Sequence, residues 1–276
     1  MGLTATGLGY TYGAGTRFSV EALRGIDLSV ARGDLLVVAG TTGSGKSTLL
    51  RLLAGLLEPT SGSVLADGAP PHSRDARGRV AIVFQNPEAQ FFAETVLDDV
   101  AFGPRNLGVP DAVEAARDAL DAVGLAAAVF ADRSPFALSG GEARRAAIAG
   151  ALAMRCPYLL LDEPTAGLDA AGRQAVLAAL AAERPRAGIV VVTHDPDEFL
   201  RDASAVLALA AGRSAYAGPV DRLLSGDPAY EAAGLRLPEV VRVQHLARER
   251  GVSLEHITLE PHEAARMLAE ASGVMP

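Results

Sequence analysis

Residues 40–48 are Gly40-Thr41-Thr42-Gly43-Ser44-Gly45-Lys46-Ser47-Thr48, which fits the phosphate-loop pattern G-x-x-x-x-G-K-[ST]. The apolar segment 35–39 before it predicts a buried parallel strand, and the segment 47–57 after it predicts an amphipathic helix. Glycines let the loop bend so that backbone N–H groups point at phosphate oxygens, and the N-terminus of the helix adds a partial positive charge. The sequence therefore predicts a phosphate site between a strand and a helix.

Lys46 is the only lysine of the chain, and the other 24 of its 25 lysine and arginine residues are arginines. A compact ammonium fits inside a phosphate cradle, whereas a wide planar guanidinium does not. We therefore expect the chemistry of the loop to require Lys46. Its ammonium would lie on the β- and γ-phosphates, and the hydroxyl of Ser47 would bind Mg²⁺.

The composition is that of an acidic chain of 276 residues, 49% hydrophobic, with a net charge of -8. This length is enough for one large domain with an appendage. The acidic balance argues against non-specific nucleic-acid binding, which needs clustered positive charge. No apolar run reaches the roughly 18 residues of a membrane span, the N-terminus lacks a signal-peptide pattern, and the one cysteine, Cys156, excludes an internal disulfide. We expect a soluble, cytoplasmic protein, which is compatible with docking on a membrane protein.

Three further apolar segments predict buried strands, and each is followed by polar residues. The segments are 80–84, 158–161 and 188–193, and the residues after them are Gln85, Asp162 with Glu163, and His194. The carboxyl ends of parallel strands meet at one edge of a sheet, where α/β proteins bind ligands. Because side chains alternate along a strand, we expect Asp162 and Glu163 to point to opposite faces and to have different roles. A lone histidine is usually structural, but the place of His194 at this edge favours a phosphate contact.

The segment Leu138-Ser139-Gly140-Gly141-Glu142 opens a predicted helix that runs to about Arg155. Ser139 and Glu142 have the spacing of a capping box. A capping box does not explain two glycines in the first turn, each of which costs about 1 kcal/mol relative to alanine. Missing side chains at a helix N-terminus suit the close approach of an anion. We expect both capping and anion binding at this turn.

The N-terminal residues 3–30 alternate in character and predict antiparallel strands. Tyr10 and Tyr12 lie two apart, on one face of the first strand. Either ring is able to stack on a flat adenine, and the place of Tyr12 at the end of the strand, next to Gly13, favours Tyr12.

The middle of the chain predicts surface turns and helices. Residues 60–79 are rich in Gly, Pro, Ser and Arg and predict a turn-dominated surface segment. A short helix is predicted after Gln85 and carries Phe91 and Phe92; adjacent aromatics cannot both face one core, so one should be exposed. Residues 111–123 and 126–133 predict helices of a small helical subdomain.

The remaining segments predict a helix at 170–183 and a closing hairpin over 203–209 and 214–217. The composition changes beyond residue 227, where 238–250 and 261–271 predict two helices that begin at proline.

Taken together and in this order, the motifs resemble those of the ATP-binding subunits of ABC transporters, over residues 3 to about 225. A narrower resemblance is carried by residues 84–96 and 99–104. These segments are similar to the energy-coupling-factor (ECF) ATPases, a family that powers uptake of vitamins or of cobalt and nickel ions.

Two shorter segments, 42–45 and 11–16, look closer to the second of the paired ATPases of that family. Departures from the family pattern are small: Glu142 stands where Gln is frequent, and Thr41 where the paired type often has His.

The resemblance implies an α/β fold of the P-loop NTPase (ABC ATPase) type. Its parts would be a mixed sheet, an N-terminal antiparallel β subdomain, a helical subdomain and a small C-terminal helical extension. The implied ATP-binding domain covers 1–225, with the helical subdomain at about 86–155, and the extension over 226–276 would help the subunits to dimerise.

The resemblance also implies, position by position, a site for ATP and Mg²⁺. Tyr12 would stack on adenine, and the phosphates would be held by Gly40, Thr41, Thr42, Gly43, Ser44, Gly45, Lys46, Ser47 and Thr48. Mg²⁺ would be held by Ser47, Gln85 and Asp162, the last through water. The implied catalytic residues are Glu163, which polarises the attacking water, His194, which contacts the γ-phosphate, and Lys46. Ser139, Gly140, Gly141 and Asp169 would act on the nucleotide held by the other subunit.

The implied function is that of the ATP-hydrolysing subunit of an ECF-type ABC importer, in which ATP closes a dimer and hydrolysis reopens it. Its partners would be a second ATPase subunit (the same chain or a paralogue), a transmembrane coupling subunit and a substrate-binding membrane subunit, at the inner face of the cell membrane. We place the contact with the coupling subunit at Phe91 and Phe92.

The alternative function is that of a soluble ABC-type ATPase of translation or DNA repair, uncoupled from transport. Such proteins usually join two ATPase domains or insert a long coiled coil, and this sequence has neither. A small-molecule kinase with a phosphate loop would leave residues 138–142 unexplained.

Overall fold

The computed structural model describes residues 1–232 and 234–272. The described residues form nine strands: β1 (Leu3–Tyr12), β2 (Val20–Val30), β3 (Leu35–Gly40), β4 (Ser61–Ala66), β5 (Val80–Val83), β6 (Tyr158–Asp162), β7 (Gly188–Thr193), β8 (Ala205–Ala210) and β9 (Arg213–Pro219). Three of them form an antiparallel sheet in the order β2-β1-β4. The other six form a mixed sheet in the order β5-β6-β7-β3-β8-β9, which is parallel except for the β8–β9 hairpin.

The described residues also form eleven α-helices: α1 (Lys46–Leu53), α2 (Val96–Leu107), α3 (Ala112–Ala122), α4 (Ala127–Phe130), α5 (Gly140–Ala153), α6 (Ala170–Glu183), α7 (Asp197–Leu200), α8 (Val220–Leu224), α9 (Pro228–Ala232), α10 (Glu239–Glu249) and α11 (Pro261–Ser272). A short 3₁₀ helix, Pro87–Gln90, follows β5. None of the helices in the described ranges has the length and apolar character needed to cross a membrane.

The alternation of side chains along β3 shows how the mixed sheet is covered on both faces. Leu36 and Val38 belong to an apolar cluster with α1 and the antiparallel sheet, whereas Leu35 and Val37 belong to a second cluster with α2, α3, α5 and α6. Every residue of β3 is buried. A parallel strand between two layers needs apolar residues at every position, which is why segment 35–39 is apolar throughout.

The C-terminal helices pack against the same core as the sheet. Tyr230, Leu237 and Val241 are buried in the cluster that covers the helical face of the sheet. An ion pair between Arg201 Nη2 and Glu260 Oε1, 2.5 Å apart, joins the end of α7 to the chain before α11. Residues 273–276 of the predicted extension, and residue 233 within it, lie outside the described residues.

The predicted architecture is confirmed: a mixed α/β sheet, N-terminal antiparallel strands and a set of helices between β5 and β6. The interpretation of residues 60–79 as turns is wrong in part, because β4 lies inside this segment and pairs with β1. Gly62, at φ 71° and against the backbone of Gly7, gives β4 a turn-like composition. Helix α1 ends at Leu53 rather than near residue 57, and Gly55 at φ 73° follows it, as expected after a helix end.

Candidate functional site

A cavity of about 820 Å³ opens at the carboxyl edge of β3, β6 and β7. Eleven of the predicted site residues line it: Tyr12, Thr42, Gly43, Gly45, Lys46, Ser47, Thr48, Gln85, Asp162, Glu163 and His194. Residues from five separate segments therefore meet in one place. Four of the five segments follow parallel strands of the mixed sheet, whose carboxyl ends converge at this edge. The fifth, Tyr12, comes from β1 of the antiparallel sheet.

The backbone of the phosphate loop occupies conformations and spaces that glycine alone suits. Gly45 precedes α1 with φ 105°, and a Cβ there would lie 2.8 Å from the carbonyl oxygen of Ala22. The ammonium of Lys46 donates to the carbonyl oxygens of Gly40 (2.7 Å) and Thr41 (3.0 Å). Burial lowers the pKa of Lys46, and the carboxylates of Glu163 and Asp162 oppose this effect. The ammonium of Lys46 is thus held inside the loop by backbone carbonyl groups of the loop itself.

A set of oxygen donors suited to a hard divalent cation lies beside the loop. Ser47 Oγ donates to Asp162 Oδ2 at 3.2 Å, and Gln85 lines the same cavity. Burial raises the pKa of Asp162, which means that a positive charge beside it would be favourable. Hydroxyl, carboxylate and amide oxygens are ligands that Mg²⁺ accepts. These residues therefore fit the implied Mg²⁺.

The carboxylate of Glu163 is buried and is held from three directions. Glu163 Oε1 accepts from the backbone N–H of His194 at 2.9 Å, and Oε2 accepts from Thr193 Oγ1 at 3.2 Å. The imidazole Nδ1 of His194 lies 2.9 Å from Oε2, while most of the His194 side chain is exposed. The carboxylate is therefore fixed beside an accessible imidazole.

The prediction that Asp162 and Glu163 point to opposite faces is wrong, because both line the same cavity. Glu163 has φ 52°, in the left-handed region, and so breaks the alternation of side chains at the point where β6 ends. Such a conformation is uncommon for a residue other than glycine and costs on the order of 1–3 kcal/mol. The surrounding contacts must supply that energy.

Of the two predicted aromatic residues, Tyr12 lines the cavity and Tyr10 does not. Tyr10 packs on the apolar cluster beneath the antiparallel sheet, and the two rings meet edge to face with centroids 4.8 Å apart. The hydroxyl of Tyr12 lies 3.2 Å from Thr48 Oγ1. The ring of Tyr12 is therefore positioned by its contact with Tyr10 on the same strand and by the contact of its hydroxyl with Thr48 of α1.

The predicted second anion-binding turn lies away from this cavity. Ser139 caps α5 in a complete capping box: Ser139 Oγ accepts from Glu142 N–H at 3.3 Å, and Glu142 Oε2 accepts from Ser139 N–H at 2.8 Å. Ser139 and Gly140 are exposed and Gly141 is half-buried. Asp169 is also exposed and caps α6 through Gly172. Within one chain these residues are not brought to the cavity that Lys46 and Glu163 line.

The remaining predicted residues also lie outside the cavity lining. Gly40, Thr41 and Ser44 belong to the phosphate loop but do not line the cavity, and Phe91 and Phe92 lie in a separate groove beyond Gln85.

Two groups of residues were missed by reading the sequence. The cavity is also lined by Val20, Glu21, Ala22, Ala211 and Gly212, from β2 and the β8–β9 turn. The hairpin predicted over 203–209 and 214–217 located the turn between them in the sequence, but not its place in space. The second miss is Arg144, whose guanidinium donates to the carbonyl oxygens of Gln85, Glu163 and Ala166; no local pattern marks it, because its partners are distant in sequence.

Comparison with known proteins gives one consistent result. Residues 23–166, more than half of the chain, match the ABC transporter family. The chain is 44% identical over 273 residues to the energy-coupling factor transporter ATP-binding protein EcfA2 of Streptococcus sanguinis (strain SK36), covering 94% of this chain and 97% of that protein.

Two solved structures have the same fold. One is cbiO1 from Clostridium perfringens, part of the ABC transporter complex cbiONQ, with 33% identity, a TM-score of 0.69 and coverage of 88% of this chain and 98% of the other. The second is the ATP-binding cassette MJ0796 in a dimeric post-hydrolysis state bound to ADP and Pi, with 28% identity, a TM-score of 0.70 and coverage of 79% and 98%. The chain therefore belongs to the ABC transporter family, as an ATP-hydrolysing subunit of the energy-coupling-factor type.

Proposed function

We propose that this ATPase powers an ECF-type importer for a vitamin or a transition-metal ion, by closing as a pair of ATPase subunits on ATP and passing that motion to a transmembrane partner. The observation that carries the proposal is the similarity, over nearly the whole chain, to the energy-coupling factor transporter ATP-binding protein EcfA2. The convergence of Lys46, Ser47, Asp162, Glu163 and His194 on one cavity supplies the site for hydrolysis. The family fixes the activity as ATP hydrolysis, and the proposal concerns what that activity drives.

Each residue at the cavity would have a separate role in hydrolysis. Lys46 and the N–H groups of the loop would hold the phosphates, replacing the carbonyl contacts that Lys46 now makes. Ser47, Gln85 and Asp162 would hold Mg²⁺, which would supply positive charge on the phosphate oxygens. Glu163 would take a proton from the attacking water, and His194 would contact the terminal phosphate.

The arrangement of α5 supports action as a pair. Ser139, Gly140 and Gly141 lie at an exposed helix N-terminus outside the cavity of their own chain, so a nucleotide bound to a second subunit would be their ligand. Asp169, exposed at the start of α6, would meet the same interface. The phosphate loop of one subunit would then hold the triphosphate of ATP, while the Ser139-Gly140-Gly141 turn of the other binds the terminal phosphate. Hydrolysis would release this second contact.

The C-terminal extension 226–276 would add a second contact between the subunits. Val243 and Leu246 on α10 are large apolar side chains that are 43% and 46% exposed, and burying them against another subunit would favour association. The ATP-binding domain proper would cover 1–225, with the helical subdomain at about 86–155.

The surface beside Gln85 would receive the transmembrane partner. Phe91 is packed on the core, and Phe92, 59% exposed, meets Phe102 edge to face at 4.6 Å between centroids. They line a groove of about 190 Å³, and Gln90 in the same groove accepts from the N–H of Phe84, next to Gln85. A partner seated here would keep the chain at the inner face of the membrane and would sense the nucleotide site.

The test is the variant Glu163→Gln, made in the full-length chain. It keeps the shape of the side chain and removes the general base, so ATP turnover should fall by roughly 10²–10⁴-fold while ATP still binds. In vesicles that contain the chain with its co-encoded membrane partners, ATP-driven uptake of labelled vitamin, Co²⁺ or Ni²⁺ should fall in parallel. Normal turnover would remove Glu163 from its role, and absence of ATP-driven uptake of any of these solutes by the unmodified protein would overturn the transport proposal.

A further inference from the structure

Arg144 connects α5 to the residues that follow two neighbouring strands, β5 and β6. It lies in the second turn of α5, five residues after Ser139, and its side chain is half-buried. Nη2 donates to the carbonyl oxygen of Gln85 at 2.7 Å, and Nη1 donates to that of Glu163 at 3.0 Å and also to that of Ala166. One side chain thus ties the end of β5 to the turn that follows β6.

The chemistry of this contact requires a guanidinium. A guanidinium stays protonated and presents its donors in a rigid planar fork, so it can serve several carbonyl oxygens together. Hydrogen bonds from a charged donor are shorter and stronger than neutral ones. A lysine ammonium at the same position is a point charge on a flexible stem and could not hold the same three acceptors in one geometry.

The turn that Arg144 holds is the one in which Glu163 has a left-handed backbone. Glu163 has φ 52°, its N–H donates to the carbonyl oxygen of Val192 at 2.8 Å, and its own carbonyl oxygen accepts from Ala166 N–H at 3.3 Å. Arg144 donates to both carbonyl oxygens of this turn, those of Glu163 and Ala166. The unfavourable backbone is therefore fixed from α5, and with it the direction of the Glu163 carboxylate.

We propose that Arg144 is a positioning residue for hydrolysis: it holds the backbone of Glu163 and of Gln85 so that the base and the amide face the nucleotide together. This rests on the proposed role of Glu163 as the base. Because α5 begins with the Ser139-Gly140-Gly141 turn, a displacement of that helix would reach the base in its own subunit through Arg144.

The neighbouring Arg145 offers a matched control. It also projects from α5, and its Nη1 donates to the carbonyl oxygens of Val123 (3.2 Å) and Gly124 (2.8 Å), near the end of α3. Losing its guanidinium removes comparable hydrogen bonds from the same helix, but none to the segments that carry Gln85 and Glu163.

The first measurement is ATP turnover by the full-length variants Arg144→Gln and Arg145→Gln. Arg144→Gln should lower kcat by about 10- to 100-fold, the cost of a base displaced by about 1 Å, with KM and ATP affinity within about threefold of wild type. Both variants should lower the melting temperature, and by similar amounts. Arg145→Gln should nevertheless lower kcat less than threefold. A loss of kcat that merely follows the loss of thermal stability in both variants would overturn the proposal.

The second measurement is a double-mutant cycle with Glu163→Gln, by single turnover of radiolabelled ATP. If Arg144 acts through Glu163, Arg144→Gln should lower the already slow rate of Glu163→Gln by less than about threefold, because the effects of residues that act as a unit are not additive. The same factor in both backgrounds would show that Arg144 acts elsewhere. Glu163→Gln at the wild-type rate would instead remove the base itself, a distinct result. Should Arg144→Gln fail to fold, Arg144→Lys enters the same cycle, with a smaller loss of kcat expected.

Discussion

Two adjacent carboxylates, Asp162 and Glu163, enter one cavity with different surroundings. Glu163 accepts hydrogen bonds from His194 N–H and Thr193 Oγ1, which fix the direction of its carboxylate. Asp162 receives one from Ser47, and burial outweighs it, so the pKa of Asp162 is raised. The difference suits a carboxylate that works beside a cation and another that works on a water molecule.

The raised pKa gives a prediction for Asp162→Asn. The folded chain binds a proton at Asp162 more tightly than the unfolded chain, so the stability that this group contributes falls as pH rises from 3.8 through its raised folded pKa. At pH 8, without Mg²⁺ and ATP, the free energy of unfolding of Asp162→Asn, measured by urea unfolding, should therefore exceed that of wild type by roughly 0.5–2 kcal/mol. At a pH below both the folded and the unfolded pKa of Asp162, the two proteins should be equally stable.

The control for this prediction is Asp118→Asn, an exposed carboxylate on α3, which should change stability by less than about 0.5 kcal/mol. Adding Mg²⁺ and ATP should reverse the order, because ligand binding stabilises wild type by mass action and the variant has lost a metal ligand. A variant less stable than wild type at pH 8 without ligand would show that the ionised Asp162 is not a destabilising group.

At this scale the sequence was informative where chemistry dictates residue type and uninformative where contact is distant. The glycine pattern, the sole lysine and the polar residues after each strand located the cavity lining. The orientation of Glu163 was not predictable from alternation, because it depends on a single φ angle that Arg144 helps to hold across 19 residues of sequence.

At the scale of the elements, the site is formed by parallel strands whose carboxyl ends lie at one edge of the mixed sheet. β3, β6 and β7 are neighbours in parallel, so the phosphate loop, Asp162 and His194 all emerge at one edge. Continuous apolar runs made these strands visible in the sequence. β4 was not visible, because an edge strand of a three-stranded sheet alternates weakly and Gly62 gives it the composition of a turn. Helix bounds near glycines were also displaced by a few residues.

The groove between the 3₁₀ helix Pro87–Gln90, α2 and α5 gives the prediction at this scale. Phe92 is exposed and can be removed with little effect on the core, whereas Phe91 is packed on it. Phe92→Ala should weaken binding to the transmembrane partner by about 2 kcal/mol, roughly 30-fold in Kd, if it is a central aromatic contact. The measurement is the yield of the co-purified complex, with ATP affinity as an internal check.

The matched control for the groove is Leu56→Ala, because Leu56 follows α1 and is 55% exposed, close to the 59% of Phe92. It should leave the yield of the complex unchanged. ATP affinity should remain at the wild-type value in both variants, since neither residue lines the nucleotide cavity. An undiminished yield with Phe92→Ala would place the membrane partner on another surface.

At the scale of the whole molecule, two sheets must keep a fixed relation, because Tyr12 comes from the antiparallel sheet and the phosphate loop from the mixed one. Part of that relation is a partly buried hydrogen bond: Tyr158, at the start of β6, donates from its hydroxyl to Asp67 Oδ1 at 2.6 Å. Asp67 directly follows β4, and its carbonyl oxygen accepts from Arg79 Nη1 at 2.9 Å. Arg32 Nη2 lies 3.6 Å from its other carboxylate oxygen. These contacts lie at the start of β6, and Asp162 lies at the other end of the same strand.

Tyr158→Phe keeps the ring and leaves Asp67 Oδ1 without this donor, so it should lower the free energy of unfolding by about 1–3 kcal/mol. Burial and the bond to Asp67 raise the pKa of Tyr158 from 10.0 to about 12. The folded chain therefore keeps this proton where the unfolded chain loses it, and wild type should lose stability as pH rises from 10 to about 12. In Tyr158→Phe that part of the alkaline loss of stability should be absent, as measured by urea unfolding at pH 8, 10 and 11.

The control is Tyr10→Phe, at a half-buried tyrosine of β1. It should lower the free energy of unfolding by less than about 0.5 kcal/mol and should keep the alkaline loss of stability. Equal stability of Tyr158→Phe and wild type at pH 8 would mean that this hydrogen bond does not contribute to holding the two sheets together.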